Sequence, residues 1–238
     1  MRRGCIIAAS VIVLGVIVLS LYLFRPHWLV ALPARLSPQV VFQVRTSQPV
    51  VALSVDDGPD EATTPEILDV LRRHGARATF FLFTSRVAGN EDLVDDALKD
   101  KHELGNHLAT DKASILLDAE DFERQLLASH ATLSQFAKVR LFRPGSAWYS
   151  RRMLDTLTRH GYRCVLGSLY PFDPQTRSAS FAASYVLSNV RPGAIIVLHD
   201  RGARGSRTTA VLSMILPELQ RRGYRVVTVS ELLELAAD

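Results

Sequence analysis

Acidic, imidazole and guanidinium side chains follow short apolar runs at four places in this sequence. They are the Asp56–Asp57 pair, His107, Arg143 and His199. Two adjacent carboxylates repel each other unless a cation or a proton separates their roles, so the aspartate pair needs a positively charged partner. Carboxylates and imidazoles also bind divalent metals and transfer protons in catalysis. The residue types therefore indicate acid–base chemistry, a metal site, or both.

Each of these residues also has an ordinary structural interpretation. Asp-Asp-Gly-Pro is a common turn sequence, and a lone histidine such as His107 is more often structural. Asp111 follows His107 by four residues, and residues at that spacing share a helix face and could hold one metal ion. Arg143 would act as a carboxylate clamp if it were buried beside Asp56 or Asp57. No single motif is decisive, but together they favour function.

The elements that must position these residues are short strands alternating with amphipathic helices. Seven strands are predicted: Val50–Val55, Ala78–Phe83, Glu103–His107, Val139–Phe142, Tyr162–Leu169, Ala194–Leu198 and Arg225–Val229. The main helices are predicted at Pro65–His74, Asp92–Lys101, Ala119–Ala137, Arg151–His160, Phe181–Val190 and Thr208–Arg222. Gly75, Gly161 and Gly223 follow helical patterns and are expected to end them in a left-handed conformation. The alternation predicts a parallel sheet or an α/β barrel, whose functional residues gather at the carboxyl ends of the strands.

The first 47 residues differ from the rest of the chain in charge and hydropathy. They carry five arginines and no acidic residue, so the remaining 23 basic and 24 acidic residues nearly cancel, and nucleic-acid binding is not expected. Residues 5–24 contain no charge and would span about 30 Å as a helix, the thickness of a bilayer core. We therefore predict a cytoplasmic tail over residues 1–4, a transmembrane signal-anchor over 5–24 and a stalk over 25–47. A cleaved signal peptide is the alternative to the anchor. The domain over 48–236 would lie on the periplasmic or extracellular side.

Four motifs together resemble the polysaccharide deacetylases with a NodB homology domain, which form carbohydrate esterase family 4. The motifs are Ser54–Pro59, His107–Asp111, Phe142–Gly145 and Ile195–His199, in the order the family has them. The resemblance covers residues 48–236. It implies an α/β fold, an irregular (β/α)7 barrel of the NodB-homology type, which agrees with the seven predicted strands. Asp111 departs from the family by replacing its second metal-binding histidine, and Leu108 replaces a hydroxyl residue.

The resemblance also implies roles for the site residues. Asp57, His107 and Asp111 would bind one divalent metal ion. Zinc is the first candidate, with manganese, cobalt or nickel as alternatives, since a second carboxylate makes such a site less selective for zinc. Of the catalytic residues, Asp56 would be the general base, Arg143 its orienting partner, His199 the general acid and Asp173 the partner of that histidine.

The expected reaction is hydrolysis of the N-acetyl group of amino-sugar residues in a glycan, with release of acetate. The glycan would be peptidoglycan, an exopolysaccharide or a chitin-like oligomer. Aromatic residues in the loops could stack on sugar rings, although loop packing is an equal alternative: Trp148, Tyr149, Tyr170 and Phe172. Two other functions stay open. Asp111 favours a catalytically decayed glycan-binding protein on the same fold, and an O-deacetylase would need no strong acid because an alkoxide leaves more easily.

Overall fold

The structure of the protein is a computed structural model that describes Gly15 and residues 37–236. The chain divides into two compact units, Met1–Pro38 and Gln39–Asp238, and the strands of the fold belong to the second. The predicted tail, the signal-anchor and most of the predicted stalk lie outside the described residues. Within the described part of the chain, no helix combines the length and apolar character needed to cross a bilayer.

A curved sheet of parallel strands forms the centre of the Gln39–Asp238 unit. Its strands are β1 (Val40–Val41), β2 (Val50–Asp56), β3 (Thr79–Leu82), β4 (Glu103–Asn106), β5 (Leu141–Phe142), β6 (Arg163–Val165), β7 (Ile195–His199) and β8 (Arg225–Val227). The strand order is β1-β6-β5-β4-β3-β2-β7, and β8 pairs with the start of β2. A bridge from Leu169, after β6, to Ile196 of β7 connects the two sides of the curved sheet. The architecture is an irregular half-barrel of parallel strands.

Helices connect successive strands and cover the outside of the sheet. They are α1 (Thr64–Arg73), α2 (Glu91–Lys99), α3 (Ala119–Leu133), α4 (Arg151–Arg159), α5 (Ala179–Asn189), α6 (Ala203–Arg221) and α7 (Val229–Glu234). The Ser150 side chain accepts the Met153 N–H at the start of α4, and Ser178 does the same for α5. The glycines predicted to end helices have φ of 57° to 81°, which confirms that prediction: Gly75, Gly161 and Gly223.

Alternate side chains of β2 belong to two separate cores. The odd-numbered residues of the strand pack in the larger core between sheet and helices. Val50 and Ala52 pack in the smaller core inside the half-barrel. Because side chains alternate along a strand, Ser54 and Asp56 continue this inner face. Polar residues on an otherwise apolar inner face mark the position of the site.

The structure adds one strand to the predicted set and moves the start of one helix. β1 pairs with β6, and the Val44 N–H donates to the Gly193 carbonyl at 2.9 Å, so the domain begins before residue 48 and residues 40–44 are not part of a stalk. A two-residue strand is too short to show a period in the sequence. Helix α6 begins at Ala203, five residues before the predicted Thr208. Gly205 in its first turn lies so close to Thr63 that a Cβ there would meet the threonine side chain.

The buried imidazole of His102 generates a prediction about stability. Its Nδ1 accepts the Ala78 N–H at 3.1 Å, and its ring packs edge-on against Phe80. Burial lowers the pKa of His102 from 6.5 to about 4. Between these pH values the unfolded chain binds a proton that the folded chain does not, so stability falls as the pH falls. The histidine should account for a loss of about 3 kcal/mol across this window.

The measurement is the free energy of unfolding of wild type and His102→Gln between pH 4 and 7. Carboxylates that titrate in the same pH range contribute equally to both curves. The difference between the curves is therefore the contribution of His102 to the free energy of unfolding. His74→Gln, at a partly exposed position on the outside of the fold, is the control. Parallel curves for wild type and His102→Gln would contradict the assignment.

Candidate active site

A buried ion pair between Asp56 and Arg143 lies inside the half-barrel. Nη1 of Arg143 donates to Asp56 Oδ1 at 2.6 Å and to Ser54 Oγ at 2.8 Å, and Nε donates to the Val165 carbonyl at 3.0 Å. The guanidinium carbon also lies 4.2 Å from the centre of the Phe81 ring. A planar group fixed at several points holds one orientation. Arg143 is therefore placed where the carboxylate-clamp hypothesis requires it.

Asp57 and His107 face each other beside this pair. Nδ1–H of His107 donates to the Arg143 carbonyl at 2.6 Å, and its Nε2 lies 3.6 Å from Asp57 Oδ1. In the neutral imidazole with this hydrogen bond, Nε2 carries the lone pair that a metal ion would bind. Two ligands at about 2.1 Å from a tetrahedral metal would be about 3.4 Å apart. A carbonyl that orients the second ring nitrogen is also the usual arrangement around a metal-binding histidine. These two side chains fit a divalent metal ion.

Asp111 lies apart from these two donors. Its Oδ2 is 3.5 Å from Arg201 Nη1, and its side chain is 53% exposed. Within the described residues, no group of three or more histidine, cysteine, aspartate and glutamate side chains could hold a metal ion. The helix-face interpretation of the His107–Asp111 spacing is wrong, because Leu108 has a φ of 62° and the segment forms bends instead of a helix. Asp111 as third ligand stays a prediction.

His199 and Asp173 form a second charged pair. His199 Nδ1 lies 2.9 Å and 3.1 Å from the two carboxylate oxygens of Asp173, whose side chain is fully buried. Burial by itself would lower the pKa of His199, but the hydrogen bond and charge of Asp173, with the charges of Asp56 and Asp57, raise it above its ordinary value. This environment therefore favours the protonated imidazole, which is the form that a general acid requires.

The sheet brings the two pairs together. β2 and β7 are neighbouring parallel strands, and Asp56 and His199 are partners in their register. Asp57 follows at the end of β2, where burial raises the pKa of its carboxyl, an effect that the positive charges of His199 and His107 partly offset. The sequence predicts that these residues gather at the carboxyl ends of the strands, and the structure places them there, at one edge of the sheet.

Asp200 is a supporting residue to which the sequence patterns assign no role. It accepts hydrogen bonds from the hydroxyls of Thr63 and Thr64, each at 2.5 Å, and its N–H donates to the Asp56 carbonyl at 2.7 Å. Burial raises the pKa of Asp200 to about 6. A Cβ on Gly58 would lie 2.9 Å from its carboxylate, so the turn after β2 packs directly on this side chain. The only signal for Asp200 in the sequence is its position next to the strand-ending histidine.

The four predicted sugar-binding aromatics lie in different environments. Trp148 is 68% exposed, and Tyr149 packs at the edge of the larger core. The edge of Tyr170 meets the His199 imidazole, with 5.8 Å between ring centres. Phe172 is buried and packs on Tyr170 with ring centres 5.6 Å apart, so it supports that ring instead of facing solvent. Trp148 has the most accessible ring for a sugar.

Comparison with known proteins agrees with this geometry. A family model described as polysaccharide deacetylase matches residues 43–165. A peptidoglycan-N-acetylglucosamine deacetylase of Bacillus cereus is 38% identical over 197 residues, which cover 82% of this chain and 92% of that protein. The chain belongs to the polysaccharide deacetylase family and is a hydrolase of that family.

Two solved structures show the same fold. A peptidoglycan N-acetylglucosamine deacetylase in complex with 4-naphthalen-1-yl-N-oxidanyl-benzamide is similar with a TM-score of 0.79 and 27% identity, over 84% of this chain and 95% of that one. A family 4 acetyl xylan esterase from Clostridium thermocellum, in complex with a cobalt ion, is similar with a TM-score of 0.73 and 30% identity, over 78% and 91%. These similarities confirm the predicted NodB-type α/β fold for the domain.

The contact between His199 and Asp173 generates a prediction that needs no substrate. In an Asp173→Asn variant, only the charges of Asp56 and Asp57 would still oppose the effect of burial, and the pKa of His199 should fall relative to that in wild type. An NMR titration of the imidazole would measure it. Asp155→Asn, an exposed position on α4, removes the same charge as a control. An unchanged His199 pKa in Asp173→Asn would contradict the assigned role of the pair.

Proposed function

We propose that this enzyme hydrolyses the N-acetyl group of amino-sugar residues in a glycan and releases acetate. The observation that carries the proposal is the register of β2 and β7. It sets a carboxylate paired with an arginine beside an imidazole paired with a second carboxylate. Groups whose environments favour opposite protonation states are suited to serve as base and acid in one reaction.

Each residue then has a defined part in the reaction. Asp56 accepts a proton from the attacking water, and Arg143 keeps that carboxylate ionised and correctly oriented. His199 donates a proton to the departing nitrogen, because an unprotonated amide nitrogen is a very poor leaving group. Asp173 is a positioning residue that holds His199 protonated and fixes its ring.

Asp57 and His107 are proposed to hold one divalent metal ion, with Asp111 as the third ligand. Zinc is the first candidate, and manganese, cobalt and nickel are the alternatives. When bound, such an ion would polarise the acetyl carbonyl and lower the pKa of coordinated water. Support comes from the 3.6 Å separation of the two facing donor atoms and from the acetyl xylan esterase that binds cobalt.

The proposed substrate is a cell-envelope glycan. The Bacillus cereus relative, which is named for action on peptidoglycan, supports peptidoglycan as the first candidate. Exopolysaccharide and chitin-like oligomers are the other candidates, and Trp148 is the proposed stacking surface. A single-pass anchor over residues 5–24 would place the domain outside the cytoplasm, and the charge-free run in the sequence supports it.

Two other functions have a specific observation in their favour. The similarity to an acetyl xylan esterase favours O-deacetylation. The contact of Asp111 with Arg201, away from the other proposed ligands, favours a glycan-binding protein that has lost activity. Parallel assays on N-acetylated and O-acetylated glycans, together with metal content, separate all three.

The test is acetate release by the full-length chain from N-acetylglucosamine oligomers and from peptidoglycan. Asp56→Asn and His199→Gln should each lower kcat by about 10²–10⁴-fold, since each removes a proton-transfer group. His74→Gln, on the outside of the fold, should retain wild-type activity. Full activity in either site variant would refute the assigned roles. Acetate release from O-acetylated xylan alone would make the chain an esterase.

A further inference from the structure

Two arginines reach the proposed metal ligands, Arg201 from the segment that joins β7 to α6 and Arg204 from the first turn of α6. Nη1 of Arg204 donates to Asp57 Oδ2 at 3.1 Å, and Nη1 of Arg201 lies 3.5 Å from Asp111 Oδ2. Each proposed carboxylate ligand therefore has one arginine as its partner. Neither arginine belongs to the motifs that carry the catalytic residues.

These two ion pairs differ in kind from the pair at Arg143. The Arg143 side chain is 4% exposed and is held by four groups, so it cannot leave its carboxylate. The side chains of Arg201 and Arg204 are 47% and 38% exposed. Water can solvate both partners of the Arg201–Asp111 pair when they separate, so that pair is weak, whereas Arg204 separates from a buried carboxylate. Arg201 can therefore leave Asp111 at low cost, and Arg204 can leave Asp57 when another cation takes its place.

The Asp57 carboxylate faces two cation positions at once. Its Oδ1 points to the lone pair of His107, and its Oδ2 accepts from Arg204. A guanidinium and a divalent ion bound to one carboxylate repel each other over a short distance in a site with little water to screen them. A metal ion at Asp57 and His107 therefore opposes the present position of Arg204.

We propose that Arg201 and Arg204 compete with the divalent metal ion for Asp111 and Asp57 and thereby set the metal affinity of the site. The inference rests on the proposed metal-dependent function. Arg204 is the stronger competitor, because its carboxylate is buried and its contact is shorter. Release of Asp111 from Arg201 is the step that frees the third ligand.

The test is zinc affinity of the full-length chain, measured by competition with a chromogenic chelator in the absence of glycan. Arg204→Gln should bind zinc about tenfold more tightly than wild type, and Arg201→Gln about twofold to threefold more tightly. Arg204→Lys, which keeps the charge, should lie between wild type and Arg204→Gln. Lys112→Gln is the matched control, since it removes a charge from an exposed side chain next to Asp111.

Equal or weaker zinc affinity in Arg204→Gln would overturn the proposal, and so would an equal gain in Lys112→Gln. A failure of all variants to bind zinc would overturn it too, because removal of the competing cations would then not have exposed a site. Arg201→Gln gives a second result at a more exposed position if Arg204→Gln does not fold. Since the assay contains no glycan, a failure of acetate release leaves this result interpretable and counts against the proposed reaction alone.

Discussion

The buried ion pair of Asp56 and Arg143 is the interaction on which the structure depends most. Removing either charge would leave the other buried without a partner, at a cost of about 3–5 kcal/mol. The pair joins the end of β2 to the end of β5, and the Arg143 bond to Val165 extends the connection to β6. Ser54 satisfies a further donor on the same guanidinium. The half-barrel is thus closed internally around a group that the proposed chemistry uses.

The remaining charges of the site follow from that pair. Once Arg143 neutralises Asp56, the adjacent Asp57 needs a different cation, and the structure offers the positions of His107 and Arg204. Asp173 is buried as deeply as Asp56 but faces an imidazole instead of a guanidinium. The same residue type therefore serves two purposes. In the proposed reaction, one carboxylate accepts a proton and the other orients the imidazole that donates one.

Much of this arrangement could be predicted from the sequence, because it depends on strands and their ends. The apolar run of β2 predicts a buried parallel strand. Because the carboxyl ends of parallel strands lie at one edge of the sheet, Asp56 and His199 are expected to lie there together. Prediction failed where a contact depends on loop geometry. The left-handed Leu108 redirects the chain before Asp111, and no spacing rule reveals that. The two-residue strand β1 likewise carries too little pattern to be found.

Asp111 and Arg201 are better understood together than separately. A neutral histidine at position 111, as the family resemblance implies, would add no charge to the site. Aspartate adds a third carboxylate to the site. Burial is the main cause of the raised pKa of Asp57, and the charges of Asp56 and then of Asp111 raise it further. A basic group within reach of Asp111 offsets the added charge, and Arg201 is in that position. Asp111, which departs from the family motif, and Arg201, which lies outside every motif, thus carry opposite charges that offset each other.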